Sequence, residues 1–508
     1  MKLRLNRNQT PRSQSESLQL LMLVLVLLLV FLMASRSPTD PDMWWHLRAG
    51  EETIKGGNPL VIDTMTFTMS GERWVNHSWL SQVILYLAYN YFEYPGLSLY
   101  VALMATATMF VLYQSLKGGV FLRAGIIVLV CAVIAPVWSP RPQQFSLLLF
   151  SALNAWLLLY LQRKTTKLWP MPLLFILWSN LHGGYSFGFM LLGITLAGMI
   201  FDRLLRPATE QTMTWREIGR LADWTAVSLL AVLLNPNGLS TWEIPFQTVG
   251  VAVTEYIQEW ESIDFHNISA MPYLVLLFTT LVSIGLSGRR ASGSELAGLT
   301  LFGVSSLIAQ RLIGVFALFA GVVLARHAEG ALLVITEHWR TTPAGERYEK
   351  WRSSRKSKDI PPGLRKTINL TLVGILALAG LGKLFYISQP AVVDANLVTY
   401  YPVGAVDFLE EKGTPGNILS DYGWGGYLDW HLRDNKVYFD GRADLYSDEL
   451  FFAWMDLIAA DPGWETTLSG YDVEYILLPP DMKLTEEAEK AGWQVLYRDD
   501  LSVLLQVQ

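Results

Sequence analysis

The sequence predicts a polytopic α-helical membrane protein that carries a soluble α/β domain at its C-terminus. Of its 508 residues, 51% are hydrophobic and only 17% are charged, and the mean hydropathy is +0.29. Soluble proteins carry about 25% charged residues. The apolar residues occur in blocks that are long enough to cross about 30 Å of hydrocarbon. After about residue 388 the hydropathy falls, and a pattern of short strands and helices begins.

The apolar blocks predict about eleven membrane spans, each of roughly 15–22 residues. They lie near residues 18–34, 97–116, 119–138, 141–162, 168–182, 185–202, 221–235, 271–287, 295–310, 312–326 and 367–387. Two further segments, 79–94 and 242–256, are predicted to be amphipathic helices on the outer membrane surface. The single cysteine lies within an apolar run, so no internal disulfide is possible.

The distribution of basic residues predicts the orientation of the chain. Residues 1–17 form a basic arm, and the longest basic loops lie at 203–220 and 326–366. Because Lys and Arg favour cytoplasmic loops, we expect these segments in the cytoplasm. An odd number of spans then places the C-terminus outside. We therefore expect a multi-pass protein of the plasma membrane, with residues 18–388 in the bilayer region and the domain 389–508 outside. Nothing in the composition suggests nucleic-acid binding.

The first outer loop, residues 35–96, opens with the motif Asp40-Pro41-Asp42-Met43-Trp44-Trp45-His46-Leu47. Its two carboxylates follow directly after the first span, and two carboxylates, a proline and two tryptophans so close together at a bilayer surface favour the reaction centre of a membrane enzyme. Two tryptophans stand beside them and offer apolar surface to a ligand. The residues predicted to act here are Asp40 and Asp42 as catalytic carboxylates, and Trp44, Trp45 and His46 as substrate contacts.

The other polar motifs fall on the same predicted side of the membrane. Arg141 and Arg311 lie in tight turns between spans, and an arginine at membrane depth costs about 2.5–3.5 kcal/mol and usually pairs with an anion. That anion could be a protein carboxylate, such as Asp42 or Glu259, or a ligand phosphate. The further candidates are His182, and His77 and Glu259 as substrate contacts.

The domain after residue 388 contains about 120 residues, which is enough to fold alone. Strands are predicted at 416–420, 436–440, 474–478 and 501–507, and helices at 403–412, 448–459 and 484–491. Two glycine-containing loops, 421–427 and 440–444, each follow a predicted strand. These loops either form turns with an internal Asp440–Arg442 ion pair, or they bind an acceptor or glycan above the membrane site.

The N-terminal layout resembles the GT-C glycosyltransferase superfamily, and within it the bacterial branch of protein mannosyltransferases and aminoarabinose transferases. That superfamily has a modified Asp-x-Asp motif in its first extracytoplasmic loop, where Asp40-Pro41-Asp42 stands. A basic N-terminus and one span precede the motif, as in the superfamily. The segments similar to the run from this motif to the second span are 50–60, 63–67, 74–80 and 85–96.

The resemblance implies an enzyme that moves a sugar from a polyprenyl-phosphate-linked donor to an acceptor hydroxyl with inversion. Asp42 or Asp40 would be the general base. Arg141, Arg311 and His182 would bind the leaving phosphate. The resemblance implies that no metal cofactor is needed, although the acid pair could hold Mg²⁺ or Mn²⁺. The implied partners are the lipid-linked donor, an acceptor (protein, lipid or polysaccharide) and membrane lipids.

Two other functions are compatible with the sequence. A transporter or flippase for a lipid-linked glycan would place polar residues near the bilayer midplane, often in broken helices of repeated halves. Here the polar motifs collect at one face and no convincing repeat is present, which favours an enzyme. The third possibility is a non-catalytic membrane assembly protein that acts through its outer domain.

Overall fold

The structure, a computed structural model, describes residues 14–206, 212–246, 256–354, 361–413 and 415–508. Most of the predicted basic arm, residues 1–13, lies outside these ranges. The described part of the chain before residue 388 is mainly helical, and residues 57–78 of the first outer loop form an irregular segment with isolated β-bridges. Its helices are α1 (Gln14–Ala34), α2 (Pro41–Gly56), α3 (Trp79–Ser115), α4 (Val120–Ile134), α5 (Gln143–Leu161), α6 (Met171–Leu181), α7 (Tyr185–Leu205), α8 (Trp215–Ala231), α9 (Met271–Leu286), α10 (Gly293–Ile308), α11 (Ile313–Arg340), α12 (Pro343–Ser354) and α13 (Pro362–Ile387).

Eight helical segments within the described ranges are long and apolar enough to cross a membrane, so the polytopic class is confirmed. The number is lower than the eleven spans expected. The predicted spans 168–182 and 295–310 coincide with the shorter apolar helices α6 and α10. At 1.5 Å per residue, the 11 residues of α6 extend only about 16 Å. The predicted span 221–235 overlaps α8, whose first turns are charged.

The boundary predicted between a surface helix and the second span falls within α3. This helix of 37 residues is interrupted at Glu93, which has φ 49° and ψ −142°, and Pro95 follows two residues later. Proline lacks a backbone N–H and restricts the residue before it, so the helix bends there. In the other predicted surface helix, 242–256, residues 247–255 lie outside the described ranges.

The C-terminal part contains a small mixed sheet with the strand order β1-β2-β4-β3. Strand β1 pairs with β2 in parallel, and β4 pairs with β2 and β3 in antiparallel fashion. The strands are β1 (Ile418–Ser420), β2 (Tyr475–Leu478), β3 (Gln494–Arg498) and β4 (Val503–Gln506), and the helices are α14 (Pro390–Tyr400), α15 (Val403–Lys412), α16 (Gly425–His431), α17 (Asp448–Ile458), α18 (Trp464–Ser469) and α19 (Lys483–Lys490).

The prediction of a strand at residues 436–440 was wrong. Val437 makes only isolated bridges, to Ile418 and to Thr66 of the first outer loop. The backbone of this segment also bonds to that loop, since Phe67 N donates to Val437 O at 3.2 Å. The segment also exchanges backbone hydrogen bonds with Ile418 of β1, so it links the first outer loop to the edge of the sheet without forming a strand. Strand β3 was not predicted.

The first outer loop and the C-terminal part share one buried core, in which Trp45 and Trp74 pack with aromatic side chains that include Tyr438 and Phe439. Arg442 is fully buried beside this core. Its Nη2 lies 2.6 Å from Asp63 Oδ1 and 2.6 Å from Asp440 Oδ2. The Asp440–Arg442 pair is thus internal, and its third member is a carboxylate of the first loop. This packing fixes the C-terminal part against α2.

Candidate active site

A cavity of about 570 Å³ lies between the start of α2, the turns at the ends of the membrane helices and two loops of the C-terminal part. Eight of the ten residues predicted from the sequence line it. They are Asp42, Trp45, His46, His77, Arg141, His182, Glu259 and Arg311. The remaining two, Asp40 and Trp44, stand outside the lining.

The local sequence explains why Asp42 faces the cavity. Asp40 is the N-cap of α2, and its Oδ1 accepts a hydrogen bond from Asp42 N at 3.0 Å. Pro41 occupies the first helical position, where its missing N–H costs nothing. Asp-Pro-Asp is therefore a helix start as well as an acid pair. It places the Asp42 side chain on the first turn of α2, at the wall of the cavity.

Arg141 is surrounded by carboxylates. Its Nε donates to Asp40 Oδ1 at 2.6 Å, and its Nη1 lies 3.0 Å from Asp42 Oδ2 and 2.7 Å from Glu259 Oε1. The side chains of Arg141 and Asp40 are only 16% and 12% exposed. The Arg141 guanidinium thus joins the first outer loop to residues 258–260, and three carboxylates surround it.

The Asp42 carboxylate has an unusual proton affinity. Burial raises the pKa of Asp42 to about 7, Arg141 opposes that rise, and Asp40 and Glu259 add to it. Trp45 Nε1 donates to Asp42 Oδ1 at 3.2 Å. A carboxylate with a pKa near neutrality is well matched to exchanging a proton with a hydroxyl group.

Arg311 has a different environment. Its guanidinium carbon lies 4.2 Å from the centre of the Trp260 ring. No salt bridge joins it to a carboxylate among the described residues. The backbone holds this turn in place, because Gln310 N donates to Glu261 O at 2.9 Å. Glu259 therefore contacts Arg141, and the next residue, Trp260, contacts Arg311. Of the two arginines, Arg311 is the one whose charge is available to an anion.

His182 presents a defined ring nitrogen to the cavity. It follows α6, and its Nδ1 accepts from Gly184 N at 3.0 Å and lies 2.8 Å from Ser146 Oγ. Since a backbone N–H can only donate, the proton of the neutral ring is on Nε2. Burial, with help from His77 and Arg311, holds the pKa of His182 well below its usual value. His182 is therefore a neutral hydrogen-bond donor.

The sequence offered the loop 440–444 as a possible acceptor or glycan site, but it did not single out Asp444. Its Oδ2 accepts from Trp74 Nε1 at 3.3 Å and lies 3.7 Å from His77 Nδ1. Burial lowers the pKa of His77, and Asp444 opposes that shift. Tyr422 of the other glycine-containing loop also lines the cavity. About 370 residues separate Asp444 from Trp74, so no local pattern could have indicated the contact.

Gly441 makes the closest approach between the C-terminal part and the acid motif. A Cβ atom at this position would lie 2.1 Å from Asp42 Oδ1 and 2.7 Å from Trp45 Nε1. Only glycine leaves room for these groups. At Gly426 a Cβ would lie 3.0 Å from Pro41 O. The two glycine-containing loops therefore pack directly against the start of α2.

Trp44 does not line the cavity, although Trp45 and His46 next to it do. It is fully buried, and its ring packs edge-on against Tyr401 at 5.8 Å and Tyr427 at 5.1 Å. Trp44 was predicted to contact the substrate, but it does not line this cavity. Its side chain packs inside the protein instead. His46, by contrast, lines the cavity although its ring is almost fully buried.

The described residues include no group of three or more His, Cys, Asp or Glu side chains that could hold a metal ion. The carboxylates that the sequence offered for this role, Asp40 and Asp42, both contact Arg141. A divalent ion at the acid pair would have to compete with that guanidinium.

No protein-family model and no curated protein sequence matches this chain. Solved structures do match. An oligosaccharyltransferase of Archaeoglobus fulgidus, tethered with an acceptor peptide, has a TM-score of 0.53 at 12% identity, covering 91% of this chain and 69% of its own. ArnT from Cupriavidus metallidurans, bound to undecaprenyl phosphate, has a TM-score of 0.51 at 14% identity, and the match covers 97% of this chain and 98% of ArnT. The arabinofuranosyltransferase AftD from Mycobacteria has a TM-score of 0.51 at 13% identity, and the match covers 98% of this chain and 40% of AftD.

All three are GT-C glycosyltransferases. At 12–14% identity the similarity concerns the fold. Their nearly equal TM-scores do not select one branch of the superfamily. The similarity extends over more than nine-tenths of this chain in each case. The chain thus shares the fold of these three solved structures, and it is a multi-pass membrane protein, as the sequence predicts.

Proposed function

We propose that this protein transfers a sugar from a polyprenyl-phosphate-linked donor to a hydroxyl group of an acceptor, on the extracytoplasmic face of the membrane. One observation carries the proposal: a single cavity contains the Asp42 carboxylate and a cation, Arg311, without a carboxylate partner among the described residues. The GT-C-like fold supports it. So do the undecaprenyl phosphate of one structural neighbour and the acceptor peptide of another.

In the proposed reaction the acceptor oxygen forms a bond to the anomeric carbon of the sugar. The bond from that carbon to the phosphate oxygen breaks, and its electron pair leaves with the lipid phosphate. Asp42 accepts the proton of the acceptor hydroxyl. Attack from the face opposite the phosphate inverts the anomeric configuration. Asp40, whose Oδ1 caps α2 and contacts Arg141, is assigned to positioning.

We assign the leaving phosphate to Arg311 and to the Nε2–H of His182. Fixed donors at the site where charge develops lower the barrier without rearranging. Arg141, which the sequence offered for this role, already contacts three carboxylates. We propose that it orients Asp42 instead. The cavity wall beside Arg311 and His182 is apolar and suits the first isoprene units of the donor; it contains Phe187, Met190, Ile244 and Leu312.

The remaining predicted contacts, Trp45, His46, His77 and Glu259, are assigned to the sugar and the acceptor. We also place the enzyme in the branch of the protein mannosyltransferases and aminoarabinose transferases. Mutual coverage of 97% and 98% with ArnT supports this branch, because the other two matches cover smaller shares of the neighbour. The proposed orientation has a cytoplasmic N-terminus and an outer C-terminal part, so a tag after Gln508 should be labelled from outside intact cells.

The test is sugar transfer by the purified full-length chain in nanodiscs, with polyprenyl-phosphate sugars as donors. Asp42→Asn should lower turnover by about 10²–10⁴-fold, the usual contribution of a general base. Asp500→Asn, at an exposed position, removes the same charge as a control. Arg311→Ala should raise the KM for the donor more than that for the acceptor. Normal turnover by Asp42→Asn, or equal losses for donor and acceptor in Arg311→Ala, would contradict these assignments.

A further inference from the structure

A second cavity, of about 180 Å³, lies at the opposite end of the helices that form the first one. On α5, Gln143 lines the first cavity, whereas Leu157 and Gln162 line the second. On α11, the turn at Leu312 belongs to the first cavity and Arg326 to the second. From Gln143 to Leu157, and from Leu312 to Arg326, the helical rise is about 21 Å. The second cavity therefore opens towards the other face of the membrane.

The mouth of this cavity is cationic. Lys117 and Arg326 line it, and Arg289 Nη1 donates to Arg326 O at 3.0 Å. The only acid in the lining, Glu295, lies 2.9 Å from Arg326 Nη1. Partial burial lowers the pKa of Lys117, and the neighbouring cations Arg326, Lys164 and Arg289 lower it further. An anion at the mouth would relieve this crowding of positive charge.

The cavity contains two amide side chains without hydrogen-bond partners among the described residues, and one of them, Asn154, is buried. Asn154 lies two turns before the end of α5 and is 6% exposed. Neither Asn154 nor Gln162 has a side-chain hydrogen bond within the described part of the chain. A buried amide is costly unless its hydrogen bonds are made, so such a group points to a missing partner. The rest of the lining is apolar and includes Leu157, Leu158, Leu161, Leu191, Phe319, Val322 and Val323.

We propose that the second cavity binds an anionic glycerophospholipid of the leaflet opposite the catalytic cavity. The lipid phosphate would lie between Lys117 and the free N–H groups of Arg326. An ester carbonyl, which lies deeper than the phosphate in such a lipid, would accept from Asn154. The first carbons of an acyl chain would contact the apolar wall near Asn154, which includes Phe319, Val322 and Val323. One lining thus offers the cations, the amide donor and the apolar surface that such a lipid needs, and a polyprenyl phosphate has no carboxylic ester for Asn154.

The test measures thermal unfolding of the full-length chain in nanodiscs of phosphatidylcholine, with and without phosphatidylglycerol. Phosphatidylglycerol should raise the unfolding midpoint of the wild type, because a ligand that binds only the folded state stabilises it. Lys117→Gln and Asn154→Leu should each lose most of that rise. Lys167→Gln, which removes an exposed charge from the loop between α5 and α6, should keep it. In pure phosphatidylcholine, Asn154→Leu should be at least as stable as the wild type.

Three outcomes would overturn the proposal. The first is the absence of a midpoint rise in the wild type. The second is a rise that is lost in Lys117→Gln but kept in Asn154→Leu, which would indicate attraction to surface charge alone. The third is an equal rise with inorganic phosphate, which would indicate a site for a soluble anion. None of these measurements depends on sugar transfer, so the result is independent of the proposed activity.

Discussion

Replacing Gly441 with alanine should slow sugar transfer, although Gly441 has no reactive group. The added Cβ would lie 2.1 Å from Asp42 Oδ1 and 2.7 Å from Trp45 Nε1, and Cβ contacts below 3.0 Å are essentially never observed. Both of those atoms belong to α2, and Asp42 is the proposed base. The substitution therefore acts on the position of the base and leaves its chemistry unchanged.

The size of the effect follows from the distance. To restore a contact of 3.0 Å the carboxylate must move by about 0.9 Å, and a misplacement of about 1 Å can cost 10²-fold in rate. A hundredfold loss corresponds to about 2.7 kcal/mol of activation free energy. The other oxygen of the same carboxylate, Oδ2, contacts Arg141 at 3.0 Å, so the movement also disturbs that contact. We expect kcat to fall while the KM for the donor changes little, because Arg311 and His182 are not displaced.

The assay is steady-state transfer by the full-length chain in nanodiscs, with thermal unfolding recorded for each variant. Gly56→Ala, in α2, adds the same methyl group where no atom lies within 4 Å, and it should leave kcat unchanged. Gly426→Ala, whose Cβ would lie 3.0 Å from Pro41 O, should be intermediate. Wild-type turnover by a folded Gly441→Ala variant, or an equal loss in Gly56→Ala, would refute the reasoning.

Three further predictions concern pH, stability and metal dependence. Since Asp42 must be deprotonated to act as a base and burial raises its pKa to about 7, kcat/KM should fall about tenfold per unit as the pH drops below 7; a flat profile would contradict this role. Arg442→Met leaves Asp63 and Asp440 buried without their cation, so it should cost about 3–5 kcal/mol of unfolding free energy; an unchanged thermal midpoint would argue against a buried ion pair. Because Arg141 contacts both acids that a metal would need, transfer should persist in EDTA, and a loss restored by Mg²⁺ would show otherwise.

Local features of the sequence were sufficient for the membrane class and for most of the candidate site. Apolar blocks specify helices because a helix satisfies its backbone hydrogen bonds within its own segment. The predicted boundary between a surface helix, 79–94, and a span beginning at 97 fell at the interruption of α3. Charge and aromatic motifs at predicted span ends identified eight residues that line one cavity. Their convergence was implied by the predicted topology, since all of these motifs were placed at the same membrane face.

Other features depend on contacts between distant parts of the chain, which no local pattern records. Trp44 and Trp45 are adjacent in sequence, but only the packing of α2 decides which one lines the cavity. Segment 436–440 has the alternation of a strand, yet it pairs with the first outer loop.

The amino-acid sequence alone thus determined the helical membrane architecture and the acid and basic groups available for chemistry, because hydropathy, capping and charge act over a few residues. Only the tertiary structure decided that Gly441 and Asp444 complete the site, and that Arg141 is neutralised while Arg311 is not. These outcomes depend on which side chains are brought together from positions hundreds of residues apart.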